Sequence, residues 1–182
     1  MQRFLAEQEL WSQLQSITKT RKCPIKVAVP YLGKDARKLL HLRRGDAVIV
    51  ELTLGNSRNG SVCPEEIARL RKKGVDVYVS RDLHAKVLLC GRKAVIGSAN
   101  LSNNSLKHLD EAALLTTEKP VIRKVRSWFD DRMCEEVTPA WLEKCRKAYR
   151  PPKNHSEGNG NRMPLSNSVW FSGMVTYTVG FC

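Results

Sequence analysis

The stretch LHAKVLLCGRKAVIGSANLSNNSLKHLDEAALL, residues 83–115, decides the fold. It contains two apolar runs, residues 86–90 and 93–96, separated by Gly91-Arg92, and a short connection containing glycine predicts a β-hairpin. Residues 111–116 predict a further strand. These runs place several polar side chains at the ends of adjacent strands.

Outward from this hairpin, apolar runs and amphipathic stretches alternate along the chain. Pro64, two glutamates and a basic end followed by Gly74 predict a helix that stops at the glycine. The other predicted elements are strands at 25–30, 47–52 and 75–80, helices at 4–17, 35–42, 120–136 and 139–149, and a loop at 56–60. This alternation predicts an α/β fold, with a mixed or largely parallel sheet flanked by helices.

The composition favours a polyanionic partner. The 182 residues include 31 Lys plus Arg against 18 Asp plus Glu, a formal net charge of +13. Because neutralising phosphates releases counterions, such a surplus favours nucleic acid. A basic protein kept soluble by its charge is the plainer alternative. A content of 42% hydrophobic residues excludes a disordered chain.

The sequence predicts a cytoplasmic protein with free thiols. The N-terminal stretch carries Glu7 and Glu9 and lacks the apolar core of a signal peptide, and the apolar C-terminal stretch is too short to span a bilayer. The six cysteines show no C-x-x-C pair and no zinc-ligand spacing, so neither a structural zinc nor a disulfide framework is expected. They are Cys23, Cys63, Cys90, Cys134, Cys145 and Cys182.

Four side chains in the quoted stretch have a spacing suited to phosphoryl transfer. His84 and Lys86 are two apart, so on a strand both point to one face, and Ser98 and Asn100 repeat that spacing after the second strand. Neighbouring strand ends would bring an imidazole, an ammonium, a hydroxyl and an amide together. A nucleophile attacks phosphorus while cations and donors hold the oxygens. Gly97 is expected to let the phosphodiester approach closely.

His84-Ala85-Lys86 followed by Gly97-Ser98-Ala99-Asn100 resembles the phospholipase D superfamily, whose hallmark is His-x-Lys and then Gly-Ser-x-Asn. The later text Asp110-Glu111-Ala112 is similar to its nuclease branch. The resemblance implies a phospholipase D-like mixed sheet flanked by helices over residues 1–150. It also implies Glu111 as a supporting carboxylate.

The same resemblance implies a mechanism. His84 forms a phosphohistidine, Lys86 and Asn100 hold the phosphate oxygens, Ser98 donates a hydrogen bond, and a second histidine protonates the leaving group. No metal or other cofactor is implied. Because the chain has one His-x-Lys, the second histidine is expected from another subunit of a two-fold dimer.

One position departs from the family pattern. Many members have an aspartate five residues after the lysine, where this chain has Gly91. That aspartate is generally regarded as structural, and Glu111 offers another way to orient the histidine. An active enzyme is therefore expected.

Alternatives remain open for function and for individual residues. The leading hypothesis is a metal-independent nuclease acting on DNA; the others are a phospholipid phosphodiesterase or transferase, and a nucleic-acid-binding module of this fold that has lost catalysis. Taken singly, Ser98 and Asn100 are ordinary turn formers, and the alternatives to Glu111 as the supporting residue are its neighbour Asp110 and a carboxylate that starts a strand without any function. Residues 151–168 are predicted as a linker or mobile loop. Residues 169–182 are predicted as a strand segment that either packs on the main sheet or begins a structural unit that these residues do not complete.

Overall fold

A seven-stranded mixed sheet organises the computed structural model, which describes residues 1–152. The strand order is β1-β7-β6-β5-β2-β3-β4. Strands β2, β3 and β4 are parallel, and all other neighbours are antiparallel. The strands are β1 (Gln2–Ala6), β2 (Ile25–Ala28), β3 (Ala47–Val50), β4 (Asp76–Val79), β5 (Lys86–Cys90), β6 (Lys93–Gly97) and β7 (Ala112–Thr116).

Helices cover both faces of this sheet, as the predicted α/β class requires. They are α1 (Glu7–Thr20), α2 (Leu54–Arg58), α3 (Pro64–Lys72), α4 (Asn103–His108), α5 (Lys119–Asp130) and α6 (Pro139–Ala148). One hydrophobic core includes buried residues of α1, α3 and α6, and a second, smaller one centres on Phe129 of α5. The prediction of a mixed sheet flanked by helices is confirmed.

Local sequence explains most of these elements. All four residues of β3 are buried, as expected of a continuous apolar run in the middle of a covered sheet. Helix α3 begins with Pro64, has glutamates in its first turn and basic residues in its last, and is followed by Gly74 at φ +78°. The hairpin turn at Gly91-Arg92 is also present, with Cys90 paired to Lys93.

The N-terminal prediction of one helix over residues 4–17 is wrong at its start. Residues Gln2–Ala6 form edge strand β1 on β7, and α1 begins only at Glu7. Within β1, Phe4 is 70% exposed while Leu5 is buried, which is the alternation of a strand. Pairing with a strand more than a hundred residues away overrides the helical pattern, which continues correctly from Leu10 to Ile17.

Two shorter predictions also need correction. The loop expected at 56–60 overlaps helix α2, which begins where the Thr53 side chain accepts a hydrogen bond from the Asn56 backbone N–H. The helix expected at 35–42 is a single 3-10 turn, Ala36–Lys38. The linker and strand segment predicted beyond Pro152 lie outside the described residues. Among residues 1–152, no helix combines the length and apolar character needed to cross a membrane.

Candidate active site

The β5–β6 hairpin brings the two motif segments together at one end of these two neighbouring strands. Lys86 at the start of β5 pairs with Gly97 at the end of β6, and Gly97 in turn pairs with Ala113 of β7. Residues just before β5, just after β6 and just before β7 therefore meet at this end of the strands. An isolated bridge between Leu32 and Leu101 joins the segment after β2 to the same place.

His84 and Lys86 are in contact with each other at this end of the strands. The Lys86 Nζ atom is 3.4 Å from His84 Nε2 and donates a hydrogen bond to the His84 carbonyl oxygen at 2.9 Å. An ammonium has donors only, so a hydrogen bond between Nζ and Nε2 requires Nε2 to be the ring nitrogen without a proton. His84 is exposed and precedes β5, whereas the sequence predicted it within the strand.

The carboxylate of Glu111, just before β7, is buried and held by two serines. Glu111 is 5% exposed. Its Oε2 accepts a hydrogen bond from Ser98 Oγ, and its Oε1 accepts one from Ser105 Oγ at 2.6 Å. Burying a charged carboxylate is costly unless its oxygens are hydrogen-bonded, and these two contacts supply the partners. Within the part of the chain that the structure describes, Glu111 makes no hydrogen bond to His84.

Ser98 has its only hydroxyl hydrogen directed at this carboxylate. Its oxygen also accepts a hydrogen bond from the Ala112 backbone N–H at 3.1 Å. A hydroxyl has one hydrogen to donate, so Ser98 would have to turn away from Glu111 before it could donate to a phosphate oxygen. In this arrangement Ser98 links the Gly-Ser-x-Asn segment to the start of β7.

Asn100 is held so that its amide nitrogen is available. Its Oδ1 accepts a hydrogen bond from the Tyr31 backbone N–H at 3.3 Å, and its own backbone N–H donates to Ser105 Oγ at 3.1 Å. The Oδ1 contact fixes which end of the amide faces the protein. Among the described residues the Nδ2 group has no hydrogen-bond partner, so its two donors are free for an oxyanion.

Packing against β7 requires the glycine of the motif, a reason that was not predicted from the sequence. A Cβ atom on Gly97 would lie 2.4 Å from both the Ala112 carbonyl oxygen and the Ala113 Cβ. The absence of this side chain allows β6 and β7 to approach, and thereby brings Ser98 to Glu111.

Gly91 lies at the far end of β5 from the candidate site. It occupies the hairpin turn with φ +56°, a conformation that favours glycine. It lies five positions after Lys86 along an extended strand, a span of about 16 Å. A carboxylate at this turn would not reach His84, so its absence removes nothing from the immediate surroundings of the imidazole.

Two residues that contact the candidate site residues were not predicted from the sequence. Ser105 is 1% exposed and touches both Glu111 and Asn100, while Tyr31 supplies only its backbone N–H. A signal for Ser105 existed, because it follows the helix-capping Ser102 by three residues and therefore lies in the first turn of α4. Nothing in the local sequence points to Tyr31.

Comparison with known families identifies the fold seen here. The family model described as "Cardiolipin synthase, PLD-like domain" matches residues 2–133, more than two thirds of the chain. The chain belongs to the PLD-like domain family. No curated protein sequence matches this PLD-like chain.

Solved structures show the same fold at low sequence identity. NucT from Helicobacter pylori superimposes with a TM-score of 0.60 at 17% identity, covering 75% of this chain and 98% of the other. Nuc from Salmonella typhimurium, a phospholipase D family member, gives a TM-score of 0.60 at 14% identity over 75% and 96% of the two chains. A phosphatidylserine synthase from Haemophilus influenzae gives 0.55 at 16% identity, covering 75% of this chain and 39% of the other.

Proposed function

We propose that this PLD-like protein is a metal-independent phosphodiesterase that cleaves nucleic acid through a phosphohistidine intermediate. The observation that carries the proposal is the exposed His84 imidazole, whose Nε2 faces the Lys86 ammonium at 3.4 Å. An exposed imidazole nitrogen beside a cation is suited to attack on a phosphodiester, because the ammonium can turn from Nε2 to a non-bridging oxygen and so leave the nitrogen lone pair free.

The reaction proceeds in two displacements at phosphorus. In the first, His84 Nε2 forms a bond to phosphorus, and the bond to the leaving oxygen breaks as that oxygen receives a proton. In the second, water attacks phosphorus and gives a proton to the group that had protonated the leaving oxygen, and the bond between phosphorus and His84 Nε2 breaks. Lys86 and the free Nδ2 donors of Asn100 bind the non-bridging oxygens, on which negative charge grows.

The proton donor in this proposal is the His84 of a second copy. The sequence contains one His-x-Lys, so the motif supplies one imidazole for each copy of the chain, whereas general acid catalysis requires a second. A two-fold dimer with the reaction centre on its axis supplies it, because each copy then serves as nucleophile and donor in turn.

The proposed substrate is DNA, in the cytoplasm. A formal charge of +13 favours a polyphosphate backbone over a single lipid headgroup. Glu111 acts as a positioning residue, because it orders the Gly-Ser-x-Asn segment through Ser98 and Ser105.

The test is incubation of the purified protein with plasmid DNA and with single-stranded DNA in excess EDTA. We expect cleavage that is lost in His84→Ala. His41→Ala is the matched control, since His41 is exposed and its contacts with Thr18 and Arg21 use only backbone atoms. Rapid denaturation at alkaline pH, where a phosphorus–nitrogen bond to imidazole survives, would trap the DNA strand joined to His84 and identify the nucleophile. Cleavage by His84→Ala equal to that of the control would overturn the proposal.

A second candidate function is phosphodiester transfer on phospholipids. It is favoured by the description of the matching family model, which names cardiolipin synthase. Vesicles containing phosphatidylglycerol, incubated with the same two variants, separate the candidates. His84-dependent lipid turnover without DNA cleavage would favour this function, and retention on DNA without turnover of either substrate would indicate a binding module.

A further inference from the structure

Two cysteine side chains meet at the opposite end of β5 from the candidate active site. The Sγ atoms of Cys23 and Cys90 are 3.8 Å apart. Cys90 ends β5 and is 8% exposed, whereas Cys23 precedes β2 and is partly exposed. The register pairs Ile25 with Cys90, so Cys23 lies just beyond the paired part of the two strands.

We propose that Cys23 and Cys90 form a reversible disulfide when glutathione disulfide is available as the oxidant. The pair lies at the other end of β5 from Lys86, so this modification site does not depend on the proposed phosphodiesterase activity. A reducing cytoplasm keeps both thiols free, and a more oxidised glutathione pool closes the bond.

The two sulfurs lie close together but are not at bonding distance. A disulfide bond is about 2.05 Å long, so the sulfurs must come closer by roughly 1.8 Å. Gly91 leaves room for this movement, because a Cβ at that position would lie 3.1 Å from Cys23 Sγ. This accounts for a small residue beside Cys23, in addition to the positive φ of the turn.

The order of steps follows from the two environments. Burial raises the pKa of the Cys90 thiol to about 11, with a smaller contribution from Cys23, so Cys90 stays protonated near neutral pH. The partly exposed Cys23 therefore reacts first. Its thiolate attacks glutathione disulfide and forms a mixed disulfide, releasing one glutathione thiolate that takes up a proton. Cys90 then loses its proton and attacks Cys23 Sγ, releasing the second glutathione. The sum is two protein thiols and one glutathione disulfide converted to one protein disulfide and two glutathione molecules.

The cross-link should stabilise the fold. It joins residues 67 apart in sequence and ties the beginning of β2 to the end of β5. Closing such a long loop restricts the unfolded chain far more than the folded one, in which the two side chains already touch. Oxidation should therefore raise the midpoint of thermal unfolding.

The experiment equilibrates the full chain in buffers of increasing glutathione disulfide to glutathione ratio, then blocks free thiols and digests with trypsin without reduction. Cleavage after Lys22, Lys26, Lys86 and Arg92 yields peptides 23–26 and 87–92. We expect these two peptides to appear joined, with a mass two hydrogens below their sum, and to separate on reduction. The thermal midpoint of the same samples should rise with the joined fraction.

Two variants complete the test. Cys134→Ser removes an exposed cysteine elsewhere and should leave the link and the thermal shift intact, whereas Cys23→Ser should abolish both. A wild-type chain that keeps peptides 23–26 and 87–92 separate at every ratio would overturn the proposal. Glutathione that remains attached to Cys23 while Cys90 stays free would also overturn it, and neither result requires a variant to fold.

Discussion

Ser105 donates a hydrogen bond to Glu111 across 2.6 Å, and both side chains are buried. The same Ser105 oxygen accepts the Asn100 backbone N–H at 3.1 Å. One hydroxyl in the first turn of α4 therefore connects the Gly-Ser-x-Asn segment to the carboxylate that precedes β7. Since Asn100 and Glu111 come from different strand ends, their relative position depends on this serine.

Replacing Ser105 by alanine should weaken both the fold and the candidate site. The change leaves the buried Glu111 Oε1 and the partly buried Asn100 N–H without their partner, which costs about 1–3 kcal/mol of unfolding free energy. We also expect phosphodiesterase activity to fall, because the Asn100 backbone loses its hydrogen bond to this serine. Denaturant unfolding and cleavage of plasmid DNA measure the two effects.

Ser12→Ala is the control for this change. Ser12 is an exposed serine in the interior of α1 and should tolerate alanine with a change in stability of less than about 0.5 kcal/mol. Equal stability of Ser105→Ala and Ser12→Ala would show that the buried hydrogen bonds contribute nothing.

Replacing Glu111 by glutamine tests whether the supporting carboxylate is Glu111 or its neighbour. The amide keeps the size but has one acceptor oxygen, so one of the two serine hydroxyls would face an NH₂ group. We expect a loss of about 1–3 kcal/mol in stability and a fall in kcat. The exposed Asp110 provides the matched variant, Asp110→Asn, which should behave like the wild type. A larger loss of activity in Asp110→Asn than in Glu111→Gln would reverse the assignment.

Gly97→Ala should destabilise the sheet through a direct overlap. The new Cβ would lie 2.4 Å from the Ala112 carbonyl oxygen, and forcing such a contact costs about 1–3 kcal/mol or more. Gly55→Ala is the contrasting change, since its Cβ would meet only Thr53 Oγ1 at 3.7 Å, an ordinary contact. We expect Gly55→Ala to lie within about 1 kcal/mol of the wild type, on the stabilising side. Thermal unfolding of both variants checks the contrast.

Stability should fall in alkaline solution because of Cys90. Burial raises the pKa of its thiol from 9.0 to about 11, so the unfolded chain loses this proton at a lower pH than the folded one. The stabilisation of the fold by the protonated Cys90 thiol is complete below the unfolded-state pKa. It is lost as the pH rises to the folded-state pKa, a decrease on the order of 2 kcal/mol in all. Denaturant unfolding under reducing conditions between pH 8 and pH 11 should show the decline.

Cys90→Ala should remove the part of this decline that begins near pH 9. Burial also raises the pKa of Tyr149, from 10.0 to about 12, so a second decline beginning near pH 10 should remain in that variant. Cys134→Ala, at an exposed thiol, should leave the whole profile unchanged. Identical profiles for Cys90→Ala and Cys134→Ala would contradict the assignment to burial.

The sequence alone predicted the β5–β6 hairpin and most of the flanking helices. These features depend on short-range rules: a two-residue turn fixes which strand ends are neighbours, and prolines, charges and glycines mark where helices begin and end. The α/β class followed from the alternation of apolar runs with amphipathic stretches along the chain. Continuous apolar runs are what a sheet covered on both faces requires of its strands.

Only the tertiary structure decided the features that depend on residues far apart in the chain. Edge strand β1 exists because β7 offers it hydrogen bonds, although its residues read as part of a helix. The Tyr31 backbone contact with Asn100 and the meeting of Cys23 with Cys90 bridge 69 and 67 positions. No local pattern encodes such contacts, because they arise when the packed sheet brings together segments whose own sequences are compatible with many other neighbours.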